Sequence, residues 1–216
     1  MESGADYDEA LAEAQRLGYA EADPTNDVEG VDAAHKLALL IQLAYGLAVI
    51  SPRIRREGIS HITKRDVARA AMLGYRIRLV AASARTDSGT AAEVAPVLLR
   101  ADHPFAQTSG PNNVVRLLGR NAGPLVLRGL GAGGAATSSA VLGDIVTTLR
   151  AIGERHDLSH RARTPSLRPA LDVAPLFAAL PRHPELPRYP VWDDTFLDAP
   201  AAHSAAFSWP GKELLS

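Results

Sequence analysis

The sequence predicts an α+β fold, in which one mixed sheet carries helices on one face and is followed by a proline-rich, irregular C-terminal tail. Apolar residues repeat at helical spacing through most of the first 73 residues. Short apolar runs separated by turn residues then occupy residues 75–130. Nine of the fifteen prolines lie between residues 161 and 210, where regular periodicity disappears. We therefore expect one domain over residues 1–152 and an irregular tail over 153–216.

Four helices are predicted, over residues 6–17, 27–46, 64–73 and about 137–152. Asp27 lies in the N-cap position of the second helix, which becomes almost entirely apolar and must be buried on most sides. Thr63 and Asp66 have the spacing of a cap for the third helix. Thr137 or Ser138 can cap the fourth.

The first predicted strand spans residues 75–82, where Arg76 and Arg78 alternate with apolar neighbours. Three further strands are predicted, over 94–99, 114–118 and 124–127. Because turn residues separate these runs, we expect one sheet, covered on one face by the second and third helices.

Composition excludes several classes of function. The chain has no cysteine, which rules out disulfides, thiolate metal sites and cysteine nucleophiles. Its 23 basic and 24 acidic residues leave no net charge that would attract nucleic acid or an anionic membrane. No apolar stretch approaches the roughly 20 residues of a membrane span, so we expect a cytoplasmic protein that binds a small molecule. His156 and His160 stand four residues apart in an irregular segment, and we predict no metal site.

Asp32 and Lys36 are separated by four residues on the predicted second helix and therefore share one face. An ammonium beside a carboxylate at the edge of a buried helix can hold a polar substrate and supply a proton. The ordinary alternative is a solvated surface pair that contributes a few tenths of a kcal/mol. Spacing alone leaves both interpretations open.

A glycine-rich loop precedes the fourth helix, where Gly129, Gly131 and Gly134 spell G-x-G-x-x-G. A dinucleotide-binding fingerprint needs a further strand that ends in an acidic residue about 20 positions later. The irregular tail follows instead. The loop is therefore not predicted to be the first turn of a Rossmann unit.

Residues 14–36 (AQRLGYAEADPTNDVEGVDAAHK) resemble the homoserine dehydrogenase signature, with the spacing A-x3-G-aromatic, then D-P-x2-D-V-x-G-x-D-x3-K. The resemblance continues through residues 57–66 and 74–79, His103-Pro104 with Asn113, and the stretch GLGAGGAATSSAVLGDI at 129–145. It covers roughly residues 1–150.

This resemblance implies reduction of aspartate 4-semialdehyde to L-homoserine with NADPH or NADH. It implies that Lys36 donates and accepts the proton, and that the carboxylates of Glu21, Asp32 and Asp27 hold the substrate. Gly18 and Gly133 match two positions where the backbone approaches the nicotinamide end of the cofactor. We expect the side chains of Glu21, Asp32 and Lys36 to converge near Gly133, with the partly desolvated Lys36 amine directed toward Asp32 or Glu21.

Members of this family begin with a Rossmann domain and form homodimers through the sheet. We therefore expect this chain to need a nucleotide-binding domain from a separate chain or from a longer reading frame. The alternative is a non-catalytic remnant that acts as a dimerising or small-molecule-binding module. Intact Glu21, Asp32 and Lys36 favour the enzyme.

Overall fold

The computed structural model of this chain describes residues 7–16, 22–86, 89–119, 121–153, 168–169, 173–193 and 203–209. The helices in these ranges are α1 (Tyr7–Arg16), α2 (Thr25–Val28), α3 (Val31–Tyr45), α4 (Lys64–Met72) and α5 (Gly134–Gly153). The strands are β1 (Leu47–Ala48), β2 (Arg55–Arg56), β3 (Tyr75–Thr86), β4 (Gly89–Arg100), β5 (Asn112–Gly119), β6 (Gly123–Leu130), β7 (Arg168–Pro169), β8 (Val173–Ala174), β9 (Arg182–His183), β10 (Leu186–Trp192) and β11 (His203–Trp209).

A nine-stranded mixed sheet forms the centre of the fold. Its main order is β6-β5-β11-β3-β4-β10-β9, and β2 and β8 also pair with β4. The hairpins β3–β4 and β5–β6 are antiparallel, whereas β2, β8 and β10 run parallel to β4. The four strands predicted from the sequence lie within β3, β4, β5 and β6. The expected mixed sheet is confirmed.

Helices cover one face of this sheet, as predicted. Alternation along β3 turns Ile77, Leu79 and Ala81 toward α3 and α4, where they share one apolar cluster with residues of both helices. The helices contribute buried residues spaced three or four apart: Ala34, Leu37 and Ile41 of α3, and Val67 and Ala70 of α4. Among the described residues, the buried cluster on the opposite face includes no residue of an α-helix. It contains aromatic side chains from a turn, a 3-10 helix and β10, namely Phe105, Phe177 and Trp192.

The start of α4 follows the sequence prediction closely. The Thr63 hydroxyl accepts the Asp66 N–H, and the Asp66 carboxylate accepts the Thr63 N–H, which completes a capping box. Gly74, with φ of 79°, turns the chain from the end of α4 into β3.

Two predicted helix starts are corrected by the structure. Asp27 does not cap the second helix, because it lies inside the short helix α2. Gly30, with φ of 71°, separates α2 from α3 and occupies the N-cap position. The fourth helix begins at Gly134, so Thr137 lies within it and donates its N–H to the Gly133 carbonyl at 3.0 Å.

The tail contributes strands to the sheet, which differs from the irregular segment that we expected. β11 lies between β3 and β5, and β10 pairs with β4 through Val191 and Trp192. These two residues follow the last proline of β10, so the missing proline N–H groups do not interrupt the pairing. Prolines within β10 and the lack of strict alternation in both strands hid them from sequence analysis, and their pairing partners lie far away in the sequence.

The tail is also anchored by a buried carboxylate on β4. Glu93 is 5% exposed, and its Oε2 accepts the backbone N–H groups of Leu176 at 2.9 Å and Phe177 at 2.6 Å. Its Oε1 lies 3.4 Å from Nε of Arg55. Such a carboxylate satisfies donors that would otherwise be costly to bury.

The end of the fold formed by β6 and α5 exposes apolar surface. Its large apolar side chains are between 44% and 62% exposed: Leu125, Val126, Leu127, Leu130, Val141, Leu142, Ile145, Val146, Leu149 and Ile152. Within the described ranges, no helix is sufficiently long and apolar to cross a membrane.

Candidate active site

The candidate site is built on α3, whose position is set by its apolar residues. Ala33, Ala34, Leu37 and Ile41 are buried against the sheet. Asp32 and Lys36 lie one residue before Ala33 and Leu37, and therefore at the margin of this buried face. The packing of α3 thus holds two polar side chains at the boundary between the core and solvent.

Lys36 and Asp32 form the ion pair expected from their spacing. Nζ of Lys36 lies 2.8 Å from Oδ2 of Asp32, and the side chains are 36% and 32% exposed. The short distance shows that the lysine amine is directed toward Asp32. Because both side chains are half-buried, the pair is partly removed from water. This arrangement can bind a polar molecule and exchange a proton with it.

Asp27 lies on α2, before the turn that leads into α3. It is half-buried, and its carbonyl accepts the Gly30 N–H at 3.3 Å. Asp27 therefore lies at the turn that leads into the helix carrying Asp32 and Lys36. Glu21 and Gly18, the other two predicted residues of this region, lie outside the described residues.

Gly133 lies between β6 and α5, with φ of 106°. Apart from its chain neighbours, no heavy atom of the described residues stands within 4 Å of where its Cβ would be, so this stretch of backbone is open to an approaching ligand. The preceding loop is held firmly, because the Gly131 N–H donates to the Pro111 carbonyl at 2.8 Å. A Cβ on Gly131 would overlap the Asn113 carboxamide. The expected convergence of Gly133 with Lys36 stays a prediction.

Glu57, His61 and Tyr189 form a polar cluster that the sequence analysis did not predict. Nε2 of His61 is 3.3 Å from Oε1 of Glu57, and the His61 ring stacks on Tyr189 with centroids 6.4 Å apart. Burial lowers the pKa of His61, and the nearby Arg188 lowers it further. Burial raises the pKa of Tyr189 to about 12. No short sequence motif marks this cluster, because Tyr189 lies in the tail, far from Glu57 and His61 in the sequence.

The described parts of the chain contain no group of three or more His, Asp or Glu side chains that could hold a metal ion.

An α+β domain with a half-buried lysine–aspartate pair is of a class that can bind a polar small molecule and exchange a proton with it. Comparison with known proteins gives the particular family. The family model for homoserine dehydrogenase matches residues 1–146. This chain belongs to the homoserine dehydrogenase family, which confirms the resemblance found in its motifs.

The relatives show how much of a family member is present. The homoserine dehydrogenase of Pseudomonas aeruginosa is 44% identical over 151 residues, which make up 70% of this chain and 35% of that protein. That of Mycobacterium tuberculosis is 44% identical over 179 residues, or 81% of this chain and 40% of the relative. The crystal structure of the Thiobacillus denitrificans enzyme matches with a TM-score of 0.70 and 42% identity, over 81% of this chain and 41% of that one. This chain therefore spans well under half of these relatives.

A more distant structural relative was solved with a cofactor. It is a hyperthermophilic archaeal homoserine dehydrogenase mutant in complex with NADPH, with a TM-score of 0.53 and 32% identity. The match covers 69% of this chain and 42% of that protein.

Proposed function

We propose that this chain supplies the substrate-binding and proton-transfer part of an NAD(P)-dependent homoserine dehydrogenase, which interconverts aspartate 4-semialdehyde and L-homoserine. The observation that carries the proposal is the half-buried Lys36–Asp32 pair, with its Nζ–Oδ2 distance of 2.8 Å. The pair lies within the part of the chain that the family model matches.

In this reaction, Lys36 transfers the proton and the carboxylates hold the substrate. A bound nicotinamide cofactor would supply the hydride for the carbonyl carbon in the reducing direction, or take it from the alcohol carbon in the reverse direction. Lys36 donates a proton from Nζ to the alkoxide oxygen that forms, and the neutral amine then regains a proton from solvent. Asp32, Asp27 and Glu21 bind the substrate ammonium, whose positive charge suits a cluster of carboxylates.

The backbone at Gly133 fits a role at the nicotinamide end of the cofactor. Its open side and positive φ allow a flat ring to approach the main chain closely, which a side chain would prevent. Gly18 is proposed for the same purpose. NADP and NAD are both compatible with these two glycines, which contact neither the adenosine nor its 2′ position in this proposal.

A second protein surface is needed to complete this site. We propose that the exposed apolar side of α5 packs against a nucleotide-binding domain, in the same polypeptide or in a separate chain, because patches of this kind mark interaction sites. The sheet is proposed to extend across a homodimer. Sedimentation as a monomer at micromolar concentration would contradict the dimer without affecting the assignment of the site.

The proposed activity can be tested by reconstitution. The chain is fused to, or mixed with, the part of the Mycobacterium tuberculosis enzyme that it does not cover, and NADPH oxidation by aspartate 4-semialdehyde is followed. Lys36→Ala should lower kcat by roughly 10²-fold or more, because a general acid is lost. Asp32→Ala should raise KM and lower kcat together. Lys64→Ala is the matched control, since Lys64 is an exposed lysine at the start of α4.

Unchanged turnover by Lys36→Ala would refute the proposed role of this lysine. Binding of homoserine by a reconstituted protein that never oxidises NADPH would instead favour the non-catalytic binding module.

A further inference from the structure

The segment Glu57–Ile59 connects the sheet to the corner that carries the candidate site. The Glu57 N–H donates to the Val94 carbonyl on β4 at 2.8 Å, and the Ile59 N–H donates to the Val28 carbonyl at 2.7 Å. Ile59 is 1% exposed and anchors the segment in the core. The last residue of α2 is thus tied to the central sheet through two backbone hydrogen bonds.

Gly58 lies between these two hydrogen bonds and allows the close approach. A Cβ at this position would lie 2.7 Å from Cα of Glu29 and 2.7 Å from the Val28 carbonyl oxygen. Both atoms belong to the backbone, so no side-chain rotation can relieve the overlap. Any larger residue must push the α2–α3 turn away from the segment.

The turn packs closely against β4 and is hydrogen-bonded to both α2 and α3, so a shift of the turn is transmitted to these helices. Gly30 has φ of 71°, and a Cβ there would lie 3.1 Å from Cγ1 of Val94. The Gly30 N–H bonds to the Asp27 carbonyl, and the Gly30 carbonyl accepts the Ala34 N–H at 3.0 Å. Displacement of this turn therefore changes the position of Asp27 relative to Asp32 and Lys36.

We propose that Gly58 is a positioning residue for the substrate site, acting through its backbone contact with Val28 and Glu29. The inference rests on the proposed function, because it assigns to Gly58 the placement of carboxylates that would bind the substrate ammonium. Gly58 itself touches no substrate. Small displacements of binding groups are sufficient to cost an enzyme 10²-fold in rate, so the effect should be measurable.

The test measures L-homoserine binding by titration calorimetry to the chain reconstituted with the nucleotide-binding part used in the activity test. Gly58→Ala should weaken binding by on the order of tenfold or more. Gly119→Ala, at the end of β5, should bind like the wild type, because its new Cβ would only reach ordinary contact with Cβ of Ala122 at 3.4 Å. Glu29→Ala should also retain binding, since it leaves the backbone approach intact.

Loss of stability is separated from positioning by Phe105→Leu, a change in the core on the opposite face of the sheet. At similar thermal stability, Phe105→Leu should retain homoserine affinity while Gly58→Ala loses it. Equal losses in both variants, or none in Gly58→Ala, would overturn the inference. If Gly58→Ala does not fold, Val28→Ala loosens the same turn more mildly and must also weaken binding.

A second measurement keeps this inference distinct from the proposed function. The amide chemical shifts of Gly30–Asp32 should move in Gly58→Ala, while those of the β5–β6 hairpin stay in place. Moved shifts in Gly58→Ala, together with a reconstituted wild type that fails to bind homoserine, would reject the proposed function and support control of the turn by Gly58. Homoserine binding by the wild type with unmoved shifts in Gly58→Ala would reject the positioning role alone.

Discussion

Asn113 and Pro111 hold the glycine-rich loop through their contacts with Gly131. The Asn113 carboxamide occupies the space that a Cβ on Gly131 would need, and the Gly131 N–H bonds to Pro111 on the same stretch. Gly133 follows two residues later. The contact thus fixes the loop two residues before Gly133.

We predict that Gly131→Ala lowers the free energy of unfolding by about 1–3 kcal/mol, because the new methyl group overlaps Asn113. In an Asn113→Ala background the same change should cost clearly less, since the carboxamide is gone. Urea unfolding of the four proteins measures this coupling. Gly129→Ala is the control, because no described atom outside its chain neighbours lies within 4 Å of its Cβ position. Equal costs in both backgrounds would show that Asn113 is not responsible.

The pH dependence of stability should also report on one residue, His61. Burial lowers its pKa from the ordinary value of 6.5, so the unfolded chain binds a proton more readily than the folded chain. The contribution of neutral His61 is therefore complete above about pH 6.5 and is lost as the pH falls through its folded pKa.

We predict that wild type loses more stability between about pH 8 and about pH 5 than His61→Gln does. Urea unfolding at both pH values provides the measurement. His35→Gln, which changes an exposed histidine on α3, should leave the pH dependence as in the wild type. Identical pH profiles for wild type and His61→Gln would contradict the assignment.

At the scale of elements, the C-terminal segment depends on Glu93. Two backbone N–H groups of this segment donate to one buried carboxylate, at 2.9 and 2.6 Å. The same part of the tail contributes Phe177 and Trp192 to the core, where their rings meet edge to face at 5.5 Å. Polar and aromatic contacts together attach the tail to β4.

We predict that Glu93→Ala lowers the free energy of unfolding by about 2–4 kcal/mol, because two buried donors lose their acceptor. Amide hydrogen exchange should quicken most in residues 173–193. Glu185 lies in the same segment and forms a half-exposed ion pair with Arg69 of α4. Glu185→Ala should therefore cost less than about 1 kcal/mol. A uniform increase in exchange across the chain would argue against a specific anchor.

For the whole molecule, the sheet joins segments that are far apart in sequence. β11, near the C-terminus, pairs on its two sides with β3 and β5. Such pairing closes long loops and cannot be inferred from local patterns. β6 forms one edge of the sheet, and we propose that further protein surface packs on the exposed apolar side chains of β6 and α5.

The sequence by itself determined the α+β class, the four main strands, the capping box at Thr63 and the Lys36–Asp32 pair. These features depend on residues close together in the chain, where helical and strand periodicity bring side chains onto a shared face. The motif spacing also identified the family, which the comparisons confirmed.

Only the tertiary structure decided three features. It placed the tail, it showed that Gly30 rather than Asp27 is the N-cap of α3, and it showed that Gly58 contacts the turn beside the candidate site. Each of these depends on contacts between segments distant in sequence: Val94 against Gly30, Val28 against Ile59, and Glu93 against Leu176. A backbone that must pass within van der Waals distance of another segment selects glycine there. The sequence shows the glycine, but only the fold shows which neighbour requires it.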